Sequence, residues 1–153
     1  MTSRPKTFTF KTSVKWTVGL EAELTSAGKP LVAVTAAPEF LGVDGKWTPE
    51  DLFVAAVESC LLLSFLSLAR TKRLQVISYE SVAEGTLEYL TDRFIVSKVV
   101  VKPVILVGNE ADKALAATLA VQAHERCFIS NSIESDVQIK PTILVSRESS
   151  TKD

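Results

Sequence analysis

Apolar and polar residues alternate along most of this chain, and stretches of helical spacing interrupt the alternation. In the first third, Phe8, Phe10, Val14 and Trp16 fall on one parity, as one apolar face of a strand requires. Residues 7–17, 20–26 and 31–36 read as three short strands, punctuated by Gly19 and by Gly28-Lys29-Pro30. A three-strand meander is the simplest arrangement. Residues 37–46, with Pro38, Gly42 and Gly45, keep no period and read as a loop.

A long helix is expected next, over 47–72. Thr48 can cap it through its hydroxyl, and Pro49 suits the first helical position, where a missing N–H costs nothing. Glu50 and Asp51 put negative charge at the positive end of the helix dipole. Phe53, Val57, Cys60, Leu61, Ser64 and Leu68 follow one helical face. Leu62, Leu63, Phe65 and Leu66 make the second half apolar nearly all round, which predicts burial beneath a sheet and against a partner subunit. Arg70, Lys72 and Arg73 cluster where a helix C-terminus favours cations.

Two long alternating segments follow, 75–90 and 93–107, joined at Thr91-Asp92 as a hairpin. A parity change near Val82 predicts a bulge, and Pro103 predicts an edge position or a break late in the second strand. A second helix should start with Asn109 as N-cap and Glu110 and Asp112 in its first turn, and run to about Arg126. Cys127 then falls at its end. A final strand, 137–145, precedes a polar tail, 147–153, expected to be disordered. The order βββ-α-ββ-α-β does not alternate strand with helix. It predicts an α+β fold with mostly antiparallel strands, in a single domain over 1–146.

Composition narrows the function classes. The chain has 153 residues, 46% hydrophobic and 23% charged, with a formal net charge of −1. That length can bury a core in one domain, and the charge leaves no electrostatic footprint for nucleic acid. The start, MTSRPKTFTF, has no apolar signal-peptide core, and uninterrupted apolar runs stay far below the roughly 20 residues of a membrane span. A cytoplasmic protein with no membrane partner is expected. Two cysteines and one histidine offer no zinc-type spacing, so neither metal nor other cofactor is expected. In a cytoplasmic chain the cysteines are either inert core residues or a reactive pair. On composition alone, Cys60 amid leucines reads as a small core residue, and Glu50 as first-turn dipole complementation.

Two motifs change that reading. PEDLFVAAVESC, with Pro49, Glu50, Leu52 and Cys60 in register, resembles the first-cysteine motif of the OsmC/Ohr family. AHERCFISNSI, from Ala123 to Ile133, resembles the second, in which Ala-His-x-x-Cys leads into a Ser-containing stretch. The resemblance extends over nearly the whole chain. It implies an intertwined homodimer, with mostly antiparallel sheets wrapped around two central helices and active sites at the subunit interface. It also implies a thiol-dependent peroxidase acting on organic hydroperoxides or hydrogen peroxide. Cys60 would attack the peroxide, Cys127 would resolve the sulfenic acid, and Glu50 would be the acidic partner. A dithiol reductant, often lipoyl-linked, would reset the pair.

Two features qualify the match. Glu50 lies about ten residues before Cys60, or roughly 15 Å along a straight helix, so a catalytic Glu50 is expected from the partner chain. The family's peroxidases carry an arginine ahead of the first helix, whereas the only arginine here before Cys60 is Arg4. Lys15, Lys29 and Lys46 are among the cations available, and Arg70 and Arg126 are later candidates. A lysine does not reproduce a bidentate guanidinium. The competing reading is a non-peroxidatic homodimer of the same fold, binding a small apolar or thiol-reactive ligand at the subunit interface. His124 is expected to be structural, and Trp16 and Trp47 to be packing residues.

Overall fold

The computed structural model describes residues 4–147; the expected disordered tail lies, apart from Arg147, outside the described residues. The chain divides into two compact units, Met1–Leu52 and Phe53–Asp153. In the first, β1 (Ser13–Val18), β2 (Glu21–Thr25) and β3 (Val32–Thr35) form an antiparallel meander in that order. Residues 7–12, expected to extend the first strand, lie outside it. A short 3-10 turn, Pro38–Phe40, interrupts the following loop. The chain then returns to β3, where Thr35 N–H donates to the Trp47 carbonyl at 2.9 Å.

The first helix, α1 (Pro49–Thr71), begins as its sequence dictates. Asp51 N–H donates to Thr48 Oγ1 at 3.1 Å, and Thr48 N–H donates to Asp51 Oδ2 at 3.0 Å, a reciprocal cap that satisfies two otherwise orphaned donors. The other end closes with Arg73 in the left-handed region at φ 57°. Leu74 N–H bonds the Ala69 carbonyl and Arg73 N–H bonds that of Arg70, while Leu74 is buried. This is the paired C-cap that terminates helices, and it accounts for the basic cluster at 70–73 without an anion.

The second unit holds a mixed sheet. Strands β4 (Val76–Leu90) and β5 (Arg93–Val107) form a long antiparallel hairpin. On the other side of β5, β6 (Asp136–Ile139) and β7 (Thr142–Val145) both pair with it in parallel. The single strand expected over 137–145 is therefore two, because Pro141 between them has no N–H to donate. Pro103 does not mark an edge or a break in β5, which is central and continuous. It stands level with the gap between β6 and β7, since Val101 pairs with Ile139 and Val104 with Thr142. There is also no bulge at Val82. The register shifts fall at Val76/Ser78 and Thr86/Leu87, and Val82 is 64% exposed. The inward position is that of Ser81, whose hydroxyl donates to the Glu58 carboxylate. A polar residue with a buried-side partner had broken the apolar parity without breaking the strand.

Helix α2 (Lys113–Arg126) follows a 3-10 turn at Glu110–Asp112 that Asn109 caps, its Oδ1 accepting from Asp112 N–H at 3.1 Å. Helical residues Phe65, Leu68, Leu119, Ala120 and Ala123 pack with Ile105 and Val107 of β5. A second cluster joins Val57 and Leu61 to Val99, Val101, Val137 and Cys127. Helix α1 is long and apolar enough, by length and composition, to cross a membrane. Its stripe Val57, Leu61, Phe65, Leu68 and Ala69 is instead buried in these clusters. Burial all round does not hold within one chain, where Leu63 is 65% exposed.

Close approach of α1 to the sheet depends on Gly85. A Cβ there would stand 2.5 Å from Val54 Cγ2, and valine is stiff at χ1. Gly85→Ala should lower unfolding free energy by about 1–3 kcal/mol through overpacking, measured by denaturant titration. Val54→Ala in the same chain should recover part of that loss. Additive losses from the two changes would contradict the contact.

Candidate active site

Cys60 and Cys127 come together by two separate routes. Cys60 lies in mid-α1, just off the buried stripe, and is partly exposed. Cys127 is the C-cap of α2, fully buried in the Val57/Leu61 cluster against which Cys60 packs. Both thiols are free. The chain after α2 is held as a tight turn. Cys127 N–H donates to the His124 carbonyl at 3.3 Å, and Asn131 N–H donates to the Cys127 carbonyl at 3.0 Å. Asn131 Nδ2 donates to the Glu125 carbonyl at 3.1 Å. This turn presents the backbone amides of Phe128 and Ile129 to Cys60.

The two thiols differ in acidity for local reasons. Burial works against the Cys60 thiolate, but hydrogen bonds from the Ile129 amide, the Cys127 thiol, the Phe128 amide and the Ser64 hydroxyl outweigh it. The Cys60 pKa therefore lies below that of an ordinary cysteine. Burial pushes the Cys127 pKa up, and so does the charge of Cys60. The Ser130 N–H, which donates to Cys127 Sγ at 3.4 Å, offsets only part of this. Cys60 thus ionises first, with Cys127 as a protonated donor beside it. A thiolate is the nucleophilic form.

In front of Cys60 lies a groove of about 800 Å³. Leu63 and Ser64 of α1 form one side; Arg126, Phe128 and Ile129 form the other. Phe128 is 81% exposed at its rim.

The other sequence candidates fall elsewhere. Glu50 sits in the first turn of α1, which runs unbroken to Thr71, so the spacing of roughly 15 Å from Cys60 stands. Its Oε2 is buried with no partner among the described residues. Lys46 is paired with Glu21, and Lys29 donates to Ser26 Oγ at 3.4 Å. Arg70 lies in the last turn of α1, outside the groove lining. His124 serves through its carbonyl rather than its ring, whose Nδ1 is buried without a partner among the described residues.

Sequence reasoning sought a side-chain cation and missed the amides of Phe128 and Ile129, because any residue carries an N–H. Ser64 was more visible, one helical turn beyond Cys60.

Known proteins resemble this chain in sequence and in fold. The sequence pattern of the OsmC-like protein family matches residues 42–142. The uncharacterized protein YmaD of Bacillus subtilis (strain 168) is 20% identical over 117 residues, spanning 74% of this chain and 78% of that protein. The fold is similar to that of the OsmC-like protein of unknown function VCA0330 from Vibrio cholerae, with a TM-score of 0.82 and 27% identity, covering 89% of this chain and all of that one. It is also similar to an organic hydroperoxide resistance protein, OsmC, from Legionella pneumophila, with a TM-score of 0.69 and 21% identity over 92% of this chain and all of that one. With its family pattern running from the loop before α1 to the start of β7, this chain belongs to the OsmC-like family.

Proposed function

We propose that this protein is a thiol-dependent peroxidase that reduces organic hydroperoxides or hydrogen peroxide in the cytoplasm. The observation that carries the reading is the meeting of two free thiols at one groove, Cys60 lining it and Cys127 buried behind, with a turn whose amides favour ionisation of Cys60. The Cys60 thiolate attacks the terminal peroxide oxygen, the O–O bond breaks, and the alkoxide takes a proton and leaves as an alcohol. Cys60 is then a sulfenic acid. The Cys127 sulfur attacks that sulfur, an S–S bond forms, and hydroxide leaves as water with the Cys127 proton. A dithiol reductant, lipoyl-linked in the family's pattern, returns both thiols. The amides of Phe128 and Ile129 take the role that the family gives to an upstream arginine, because they favour the thiolate at short range.

The working form in this reading is a homodimer, in which the two units form one OsmC-like domain. The family pattern crosses the division between them. In the first unit, every residue of β1 is exposed, with Trp16 at 72% and Val14 at 70%, and no described hydrophobic residue of that unit is fully buried. A three-strand sheet without a core is marginal alone, and apolar surface of this kind marks an interface. Glu50 Oε2, buried with no partner among the described residues, supports a site completed by Glu50 of the partner subunit.

A second reading, a non-peroxidatic dimer binding a small apolar or thiol-reactive ligand, is favoured by the missing upstream arginine. Thiol titration during peroxide addition separates the two. The peroxidase reading expects loss of two titratable thiols per chain, and none when Cys60→Ser is treated. Cys127→Ser should lose its single thiol to a trappable sulfenic acid and fail to turn over. Two thiols that survive peroxide in the native chain would defeat the peroxidase reading.

The dimer is tested by sedimentation. The native chain should sediment at twice the mass of one chain, and Trp16→Glu should shift it toward the monomer. A monomeric native chain at tens of micromolar concentration would contradict the dimer.

A further inference from the structure

Among the described residues, the groove before Cys60 has one ionisable lining residue besides the thiol, and it is a cation. Arg126 contributes to the wall opposite α1, and no carboxylate of the described residues lines the space. Among the described residues Arg126 has no ion pair, and its guanidinium donates no hydrogen bond. Its place in the last turn of α2 would by itself be ordinary dipole complementation. Its neighbours make the difference. Leu63, Phe128 and Ile129 give the groove low-polarity walls, beside which a charge acts over a longer range than in open water. The hydrogen bonds that acidify Cys60 come from other groups.

We propose that Arg126 is a specificity residue that binds an anionic group on the ligand entering the Cys60 groove, so that carboxylate-bearing thiol-reactive compounds are preferred over neutral ones of the same body. The proposal rests on the groove being the ligand site of the peroxidase reading, but it does not require peroxide turnover. A guanidinium suits a carboxylate because it offers two parallel N–H donors and stays charged at every physiological pH.

Alkylation of reduced protein by iodoacetate and by iodoacetamide tests it, because the two probes differ mainly in charge. Second-order rates at Cys60 are read by mass spectrometry and normalised to N-acetylcysteine. The normalised iodoacetate-to-iodoacetamide ratio should be raised about threefold at low ionic strength, within the range of an exposed ion pair, and should shrink in 0.5 M salt, a concentration chosen to be roughly several times physiological ionic strength. It should fall by a similar factor or more in Arg126→Glu and be largely kept in Arg126→Lys. Arg70→Ala, outside the groove, should leave it unchanged. A ratio equal in the native chain and Arg126→Glu overturns the proposal.

A matched peroxide pair, cumene hydroperoxide and its para-carboxylate, separates this inference from the function it rests on. If both peroxides are inert while the alkylation ratio responds to Arg126, the peroxidase reading fails and the charge selection stands. If both peroxides are reduced and neither preference responds to Arg126→Glu, the function stands and the charge selection fails.

Discussion

Cys127 is buried in the cluster against which Cys60 packs, close enough for its thiol to favour the Cys60 thiolate, and several features of the second unit hold this contact. It requires α1 to lie close on the sheet, which Gly85 permits opposite Val54. It requires α2 to end at Cys127 and the chain to fold back tightly, which the His124, Glu125 and Cys127 carbonyls enforce by accepting bonds. The same turn aims two amides at Cys60. One local structure therefore supplies the second thiol and the donors that acidify the first. Without those donors a thiol among leucines would be pushed up by burial and stay inert.

The groups that acidify Cys60 carry no formal positive charge. Backbone amides are fixed partial charges already oriented by the turn, so they stabilise a developing anion with little reorganisation. Arg126 lines the same groove and is not among those groups. The amides also explain how a chain whose only arginine ahead of the helix is Arg4 can hold an acidified cysteine.

Much of the fold was readable because its signals are local. Thr48-Pro49 marks the start of α1 and Thr91-Asp92 the hairpin, each at its expected place, while Asn109 caps the 3-10 turn that leads into α2 rather than α2 itself. Two of the misreadings share a cause, since each depended on a neighbour that sequence does not name. Ser81 faces inward because Glu58 is there to accept its hydrogen bond, and this looked like a parity change at Val82. Pro103 is tolerated in a central strand because its neighbour strand is broken at the same level. The cysteines were legible through their motifs. The amides of Phe128 and Ile129 were not, because a backbone donor leaves no mark on residue identity. Helix α1 misled in a different way: its apolar residues suggested burial all round, whereas a single chain covers only one stripe and leaves Leu63 open to the groove.

The order in which the two thiols ionise is the quantity on which everything at this site turns. Protein labelled with 13C at the cysteine β-carbons, kept reduced and titrated by NMR, reads both groups in one sample. Cys60 should pass from thiol to thiolate below the pH of an ordinary cysteine, and Cys127 only above it, because ionised Cys60 holds the Cys127 proton in place. Coincident titrations, or Cys127 ionising first, would contradict the assignment of Cys60 as the nucleophile.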